Sequence, residues 1–132
     1  MEIRVFGDPA PQGSKTAVVR GGKAVMFESS KKLPLWRETV LFTAKMVMAD
    51  YPAPMEGPLK AVMYFFLEPP QKLNRSRPTT KPDLDKLVRA VCDGLVDGGV
   101  LQDDSQIVTL YAHKHYANDD EAPGVAITLE NL

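Results

Sequence analysis

From Lys81 to Leu95 the chain reads K-P-D-L-D-K-L-V-R-A-V-C-D-G-L, and after a short glycine-rich insertion it continues from Leu101 to Ile107 as L-Q-D-D-S-Q-I. Leu84, Leu87, Val88, Val91, Cys92 and Leu95 recur at helical spacing, which predicts an amphipathic helix that opens at Asp83 and is stopped by Gly94, Gly98 and Gly99. Before it, Leu59 to Leu67 (L-K-A-V-M-Y-F-F-L) is apolar at nearly every position, the pattern of a strand covered on both faces in the middle of a sheet. After it, Ser105 to Tyr116 predicts another strand. Strand, helix and strand in this order form the centre of the fold.

The flanks complete it. Ile3 to Phe6 reads as a strand that ends at the prolines and glycines of residues 7–13. Thr16 to Arg20 and Lys23 to Glu28 are β-leaning runs joined by Gly21 and Gly22, which accept the positive φ angles of a two-residue hairpin turn. Ser29 and Ser30 offer N-cap hydroxyls and Pro34 suits a first turn, so a helix is expected to begin between residues 30 and 35 and run to about Asp50. Its apolar positions are Trp36, Val40, Thr43 and Val47, with Leu35, Thr39, Phe42 and Met46 beside them, a core-packing pattern. Val125, Ile127 and Leu129 alternate with Ala126, Thr128 and Glu130 in a last strand with one buried face. Residues 68–82 hold four prolines and four cations without period and predict a loop. The order β-ββ-α-β-loop-α-β-β predicts an α+β fold with a mixed sheet and two main helices, in one domain spanning residues 1–132.

Length and composition agree: 132 residues with 44% hydrophobic content support one core. No segment approaches the roughly 20 apolar residues of a membrane span, and the N-terminus lacks the pattern of a signal peptide, so a cytoplasmic protein with no membrane partner is expected. The single cysteine, Cys92, excludes an internal disulfide and lies on the helical stripe as a small hydrophobe. Net charge is −1, but residues 1–82 carry 13 Lys or Arg against 7 Asp or Glu, whereas residues 83–132 carry 3 against 10. A polyanion held by the first part and a cation held by the second would fit this asymmetry.

Asp83, Asp85, Asp103 and Asp104 carry the chemistry. Singly each has a plain role: Asp83 as N-cap, Asp85 in the first turn with Arg89 one turn on, Asp103 and Asp104 opening a turn. Together, Asp-x-Asp at a helix start and Asp-Asp at a strand start, linked by a helix that could gather them, resemble a nuclease metal site. Clustered carboxylates repel unless a cation sits among them, and hard oxygen donors suit Mg²⁺ or Mn²⁺ far better than Zn²⁺. Such a site could bind Mg²⁺, acidify water and neutralise charge on a phosphate. Lys72, Arg75, Arg77 and Lys81 lie immediately before the acids and could bind flanking phosphates, with Lys15, Lys31 and Lys32 weaker candidates for such contacts. His113 and His115 alternate on a strand and face one way, as a surface pair.

The same residues resemble a known family. The stretch from Lys81 to Leu95, the D-D-S-Q-I that follows and Lys114 in the next strand are similar to the RusA family of Holliday-junction resolvases of prophages and bacteriophages. P-Q-G-S-K from Pro11 and E-S-S-K-K-L-P-L-W-R from Glu28 look like its phage members. The resemblance implies a homodimeric, Mg²⁺-dependent endonuclease that resolves four-way DNA junctions by paired symmetric nicks, in recombination and repair. It implies Asp83, Asp85 and Asp104 as catalytic acids and metal ligands, with Asp103 a neighbouring acid. Arg89 stands where the family has a lysine, and Lys86 where many members have asparagine. Lys86 and Lys114 would join the DNA-contacting cations. Two other readings remain open: a junction-binding module without turnover, and a metal-dependent enzyme acting on another phosphate substrate.

Overall fold

The chain folds in the order β1 (Glu2–Phe6), β2 (Lys15–Arg20), β3 (Lys23–Glu28), α1 (Leu33–Met48), β4 (Leu59–Leu67), α2 (Leu84–Asp97), a short 3-10 turn (Asp104–Gln106), β5 (Ile107–Tyr116) and β6 (Gly124–Asn131). The structure is a computed structural model that describes residues 1–13, 15–28 and 30–132, and only the backbone of residues 15–18, 20 and 24–28. Four strands form one mixed sheet in the order β1-β6-β4-β5, and β2 and β3 form a separate antiparallel hairpin turned at Gly21 and Gly22. β6 runs antiparallel to both neighbours, whereas β4 and β5 are parallel and joined through α2, as a parallel pair requires. The α+β fold read from the sequence is the fold observed.

Both helices lie on one face of the sheet. Leu59, Ala61, Met63, Phe65 and Leu67 of β4, Ile3 and Val5 of β1 and Val125, Ile127 and Leu129 of β6 are buried there against Trp36, Val40, Leu87, Val91 and Leu95. Full burial of side chains this size stabilises by about 1.5–3 kcal/mol each. β4 is central, as predicted, but is covered on one face only: Tyr64 is 41% exposed, and Lys60, Val62 and Phe66 share its side. The continuous apolar run arises because the open face carries aromatic and aliphatic residues instead of polar ones. Tyr64 stacks on His113 with ring centroids 4.9 Å apart, and His115 stacks on both Tyr64 and Phe66. His113 and His115 do face one way, onto this aromatic patch.

Helix α1 begins within the expected window, with Pro34 in its first turn. Its N-cap position is Lys32 and no side chain caps it; Ser30 is not the cap, and Ser29 lies outside the described residues. Leu33, Trp36, Val40 and Ala44 are buried, but Leu35, Phe42 and Met46 are exposed. A helix resting on one layer buries one stripe, and the second apolar row falls outside it.

Gly94 does not stop α2; it lies inside it, where α2 crosses α1. A Cβ built on Gly94 would meet Val40 Cγ1 at 2.5 Å, and one on Gly98 would meet Ala44 Cβ at 2.5 Å. These glycines let the two helices approach. Gly98 ends α2, and Gly99, at φ +80°, takes the left-handed conformation that releases the chain toward Leu101.

Candidate active site

Asp83 occupies the N-cap position of α2 with extended backbone angles, and its carbonyl accepts from Leu87 N, yet its carboxylate makes no capping bond. Its partner is Lys86 Nζ at 3.4 Å, a half-exposed contact one turn along. The side chain therefore lies free of the structural task its position offers. Asp85, in the first turn, is exposed. Lys114 fixes the approach to these acids: it lies on the helix-bearing side of edge strand β5, and its Nζ donates to Thr80 O at 3.0 Å and Pro82 O at 2.9 Å. Its ammonium thus holds the last residues of the basic loop against the sheet.

Asp103 and Asp104 are set by a capping box. Asp103 Oδ1 accepts from Ser105 N at 3.2 Å while Gln106 Oε1 accepts from Asp103 N at 3.2 Å and Gln102 N at 2.9 Å. The other end of the Gln106 amide donates to Met55 O at 2.9 Å and Gly57 O at 3.1 Å, pinning the turn to the segment before β4. The Ser105 N–H, and a hydrogen bond shared with Asp104, hold the Asp103 carboxyl below the usual carboxylate range. Asp104 moves the other way: its hydrogen bond with Asp103, partial desolvation and the negative charges of Asp103 and Asp93 raise it, opposed by Arg89.

The 3-10 turn that carries Asp104 packs against α2, and the charges that act on Asp104 include those of Arg89 and Asp93 in the middle of that helix. Asp83 is roughly 15 Å along the helix axis from Asp93 at ~1.5 Å per residue. Among the described residues no three His, Cys, Asp or Glu groups come close enough to hold one ion. The predicted gathering of Asp83, Asp85, Asp103 and Asp104 into one cluster is thus not present: the helix that links them also spaces them. What the structure brings together is Asp103, Asp104, Arg89 and Asp93. These exposed carboxylates still suit Mg²⁺, which keeps several waters and takes one or two protein carboxylates rather than a full cage.

Asp93, one helical turn after Arg89, accepts a hydrogen bond from Gln12 Nε2, a contact spanning 81 residues. Gln12 N also donates to Lys86 O at 3.0 Å, so the loop after β1 lies across α2. Gln106 and Gln12 were both missed by the sequence reading. For Gln106 the D-x-x-Q capping box was a usable signal, whereas nothing local marks Gln12. Cys92 is buried, and desolvation with the charges of Asp104 and Asp93 pushes its thiol up to about 12, so it is inert beside the acids.

Cations surround this ridge. Lys72, Arg75, Arg77 and Lys81 are exposed on the loop between β4 and α2, and Arg75 and Lys81 meet Lys32 around a cleft of about 410 Å³. A second cleft, of about 1040 Å³ between α1, α2 and the N-terminal loop, is lined by Lys31, Arg37 and Arg89. The side chain of Lys15 lies outside the described residues.

The chain is similar to the uncharacterised protein YqaN of Bacillus subtilis (strain 168), at 27% identity over 144 residues covering 100% of this chain and 96% of that protein. Comparison with protein families matches residues 7–130 to the family described as Endodeoxyribonuclease RusA. That match runs from Gly7, just after β1, through nearly all of β6, including every acid and cation placed above, and the chain belongs to the RusA family of Holliday-junction-resolving endodeoxyribonucleases.

Proposed function

We propose that this protein is a Mg²⁺-dependent endonuclease that binds four-way DNA junctions and resolves them by paired nicks, acting in recombination and repair. The observation that carries the proposal is the pair Asp103–Asp104 facing an arginine that no acid neutralises: among the described residues Arg89 forms no ion pair, though its charge reaches Asp104. Asp103 and Asp104 would hold Mg²⁺ or Mn²⁺ beside Arg89, and Asp83 with Asp85 offers a second pair of carboxylates to a cation at the helix start. The bound ion supplies positive charge against the scissile phosphate and acidity to water.

The chain's own groups do the rest. Arg89 offers a guanidinium fork to phosphate oxygens beside the acids, and a donor aimed where charge develops acts mainly on the transition state. Lys72, Arg75, Arg77 and Lys81 contact flanking phosphates and set the position of the duplex without reading its bases. Lys86 is close to Asp83 and reaches the same phosphates. Lys114 orients Asp83 by holding Thr80 and Pro82. Lys15 belongs with the backbone-contacting cations by its place in the P-Q-G-S-K motif.

Two copies would present two such sites to a two-fold junction. The open sheet face supports a homodimer, because Phe6 is 62% and Tyr111 55% exposed on the side that carries the Tyr64 and histidine patch, and exposed apolar clusters mark interaction surfaces. Among the described residues no helix is long and apolar enough to cross a membrane. The reading is tested by nicking a synthetic four-way junction beside a linear duplex of the same sequence. Symmetric Mg²⁺-dependent nicks in the junction alone are expected, and binding without nicking at any Mg²⁺ or Mn²⁺ concentration would overturn it in favour of a binding module.

A further inference from the structure

Arg89 has an acid one helical turn on either side, Asp85 before it and Asp93 after it, and both are at the spacing that forms ion pairs on a helix. Neither pair forms among the described residues. Asp85 lies in the first turn, where the helix dipole and open N–H groups favour its charge. Asp93 is half-buried and has no such alternative; what occupies it is the amide of Gln12 from the N-terminal loop.

Two further contacts place that loop. Gln12 N donates to Lys86 O at 3.0 Å, one turn before Arg89, and Gly13 follows at φ +95°, a conformation that favours glycine. Arg89 packs directly against that glycine: a Cβ on Gly13 would meet Arg89 Nη1 at 2.9 Å. The Gln12 amide oxygen is enclosed and has no partner among the described residues, and the amide nitrogen anchors the side chain on Asp93.

We infer that Gln12 is a positioning residue for Arg89: by occupying Asp93 and setting Gly13 against the guanidinium, it keeps Arg89 off its own helix and available to the phosphate beside Asp104. The role is competitive. Without the amide, Asp93 is free to take Arg89 in an ordinary helix pair, and the fraction of enzyme with Arg89 available falls. The inference deepens the nuclease reading above and rests on it for its kinetic test.

The test compares single-turnover junction nicking by wild type, Gln12→Ala and Gln12→Met, the last keeping the size of the side chain while losing the donor and adding no charge. Each is made also in an Asp93→Asn background. Expected is a loss of about two- to threefold in the chemical step with junction affinity unchanged, the size set by a helix ion pair that competes weakly for Arg89. In the Asp93→Asn background the same Gln12 changes should have no further effect, because asparagine carries no charge to capture Arg89. A loss that persists with Asp93→Asn would show that Gln12 serves only to dock the loop, and would overturn the inference. A second readout does not depend on activity: the Arg89 Nε–H proton should exchange with solvent more slowly by NMR in both Gln12 variants than in wild type. Unchanged exchange in both would overturn the inference as well. Wild-type protein that fails to nick would overturn the nuclease reading and leave the NMR comparison to decide this one.

Discussion

Replacing Asp83 by asparagine and by alanine separates a structural acid from a functional one. An acid that caps a helix through its side chain is matched by asparagine and costs about 1 kcal/mol when cut to alanine. In this structure Asp83 makes no capping bond, and its one contact is the 3.4 Å ion pair with Lys86, both side chains well exposed. Such a pair contributes roughly 0.3–0.5 kcal/mol, and both replacements remove it equally, together with the small favourable term of a negative charge near a helix N-terminus. The two variants should therefore melt within about 1 °C of each other, whereas a lost cap would separate them by about 4 °C in a domain of this size. Both should lose junction nicking, since neither side chain supplies a charged oxygen donor to Mg²⁺. Thermal unfolding followed by circular dichroism and single-turnover nicking on a labelled junction give the two numbers. Asparagine melting about 4 °C above alanine, or nicking near the wild-type rate, would return Asp83 to a capping role and refute the reasoning.

Asp104 is held above the ordinary carboxylate range, so its proton stabilises the fold at low pH and that contribution is lost as pH rises through the raised value; Asp103, held low, contributes above the ordinary range and loses it as pH falls. Because a cation needs both carboxyls ionised, the rise in melting temperature produced by Ca²⁺ should grow as pH climbs just past the usual Asp range and be much smaller in Asp104→Asn; equal shifts in both proteins would exclude Asp104 from cation binding. Neutralising Lys72, Arg75 and Arg77 together should weaken junction binding and lower the slope of log affinity against log salt by roughly 2–3, measured by fluorescence anisotropy. Arg89→Ala should lose ~10² to 10³ in nicking rate at nearly unchanged affinity while Arg89→Lys keeps a substantial part; an alanine variant within a few-fold of wild type would remove Arg89 from the mechanism. Gly94→Ala should destabilise the protein by about 1–3 kcal/mol in denaturant titration, because the added methyl meets Val40 with no room to yield.

The elements were legible because their signals are local. The stripe of Leu87, Val91 and Leu95 and the alternation of Val125, Ile127 and Leu129 each follow from the period of a single element, and the α+β order follows from their succession. Tertiary context decided what was misread. Gly94 looks like a helix stop in one dimension and is a contact with Val40 in three. Leu35, Phe42 and Met46 look like core until the helix is seen to rest on one sheet face only. In the candidate site the acids themselves could be read from spacing, but not which of them meet. That depends on where the 3-10 turn docks along α2, and on Gln12, whose link to Asp93 spans 81 residues without a local trace.

The close crossing of α1 and α2 at Gly94 and Gly98 has a consequence for how such a protein can change over generations. With backbone against side chain at Val40 and Ala44, neither helix can slide or lift without opening a void, so the ridge bearing Arg89 and Asp93 is an invariant frame. Residues 68–82, by contrast, hold no regular element, and the carbonyls of Thr80 and Pro82 are held by Lys114 of β5 and not by either helix. Lineages that meet new DNA geometries can therefore rewrite the length and charge of this loop while inheriting the cutting chemistry unaltered.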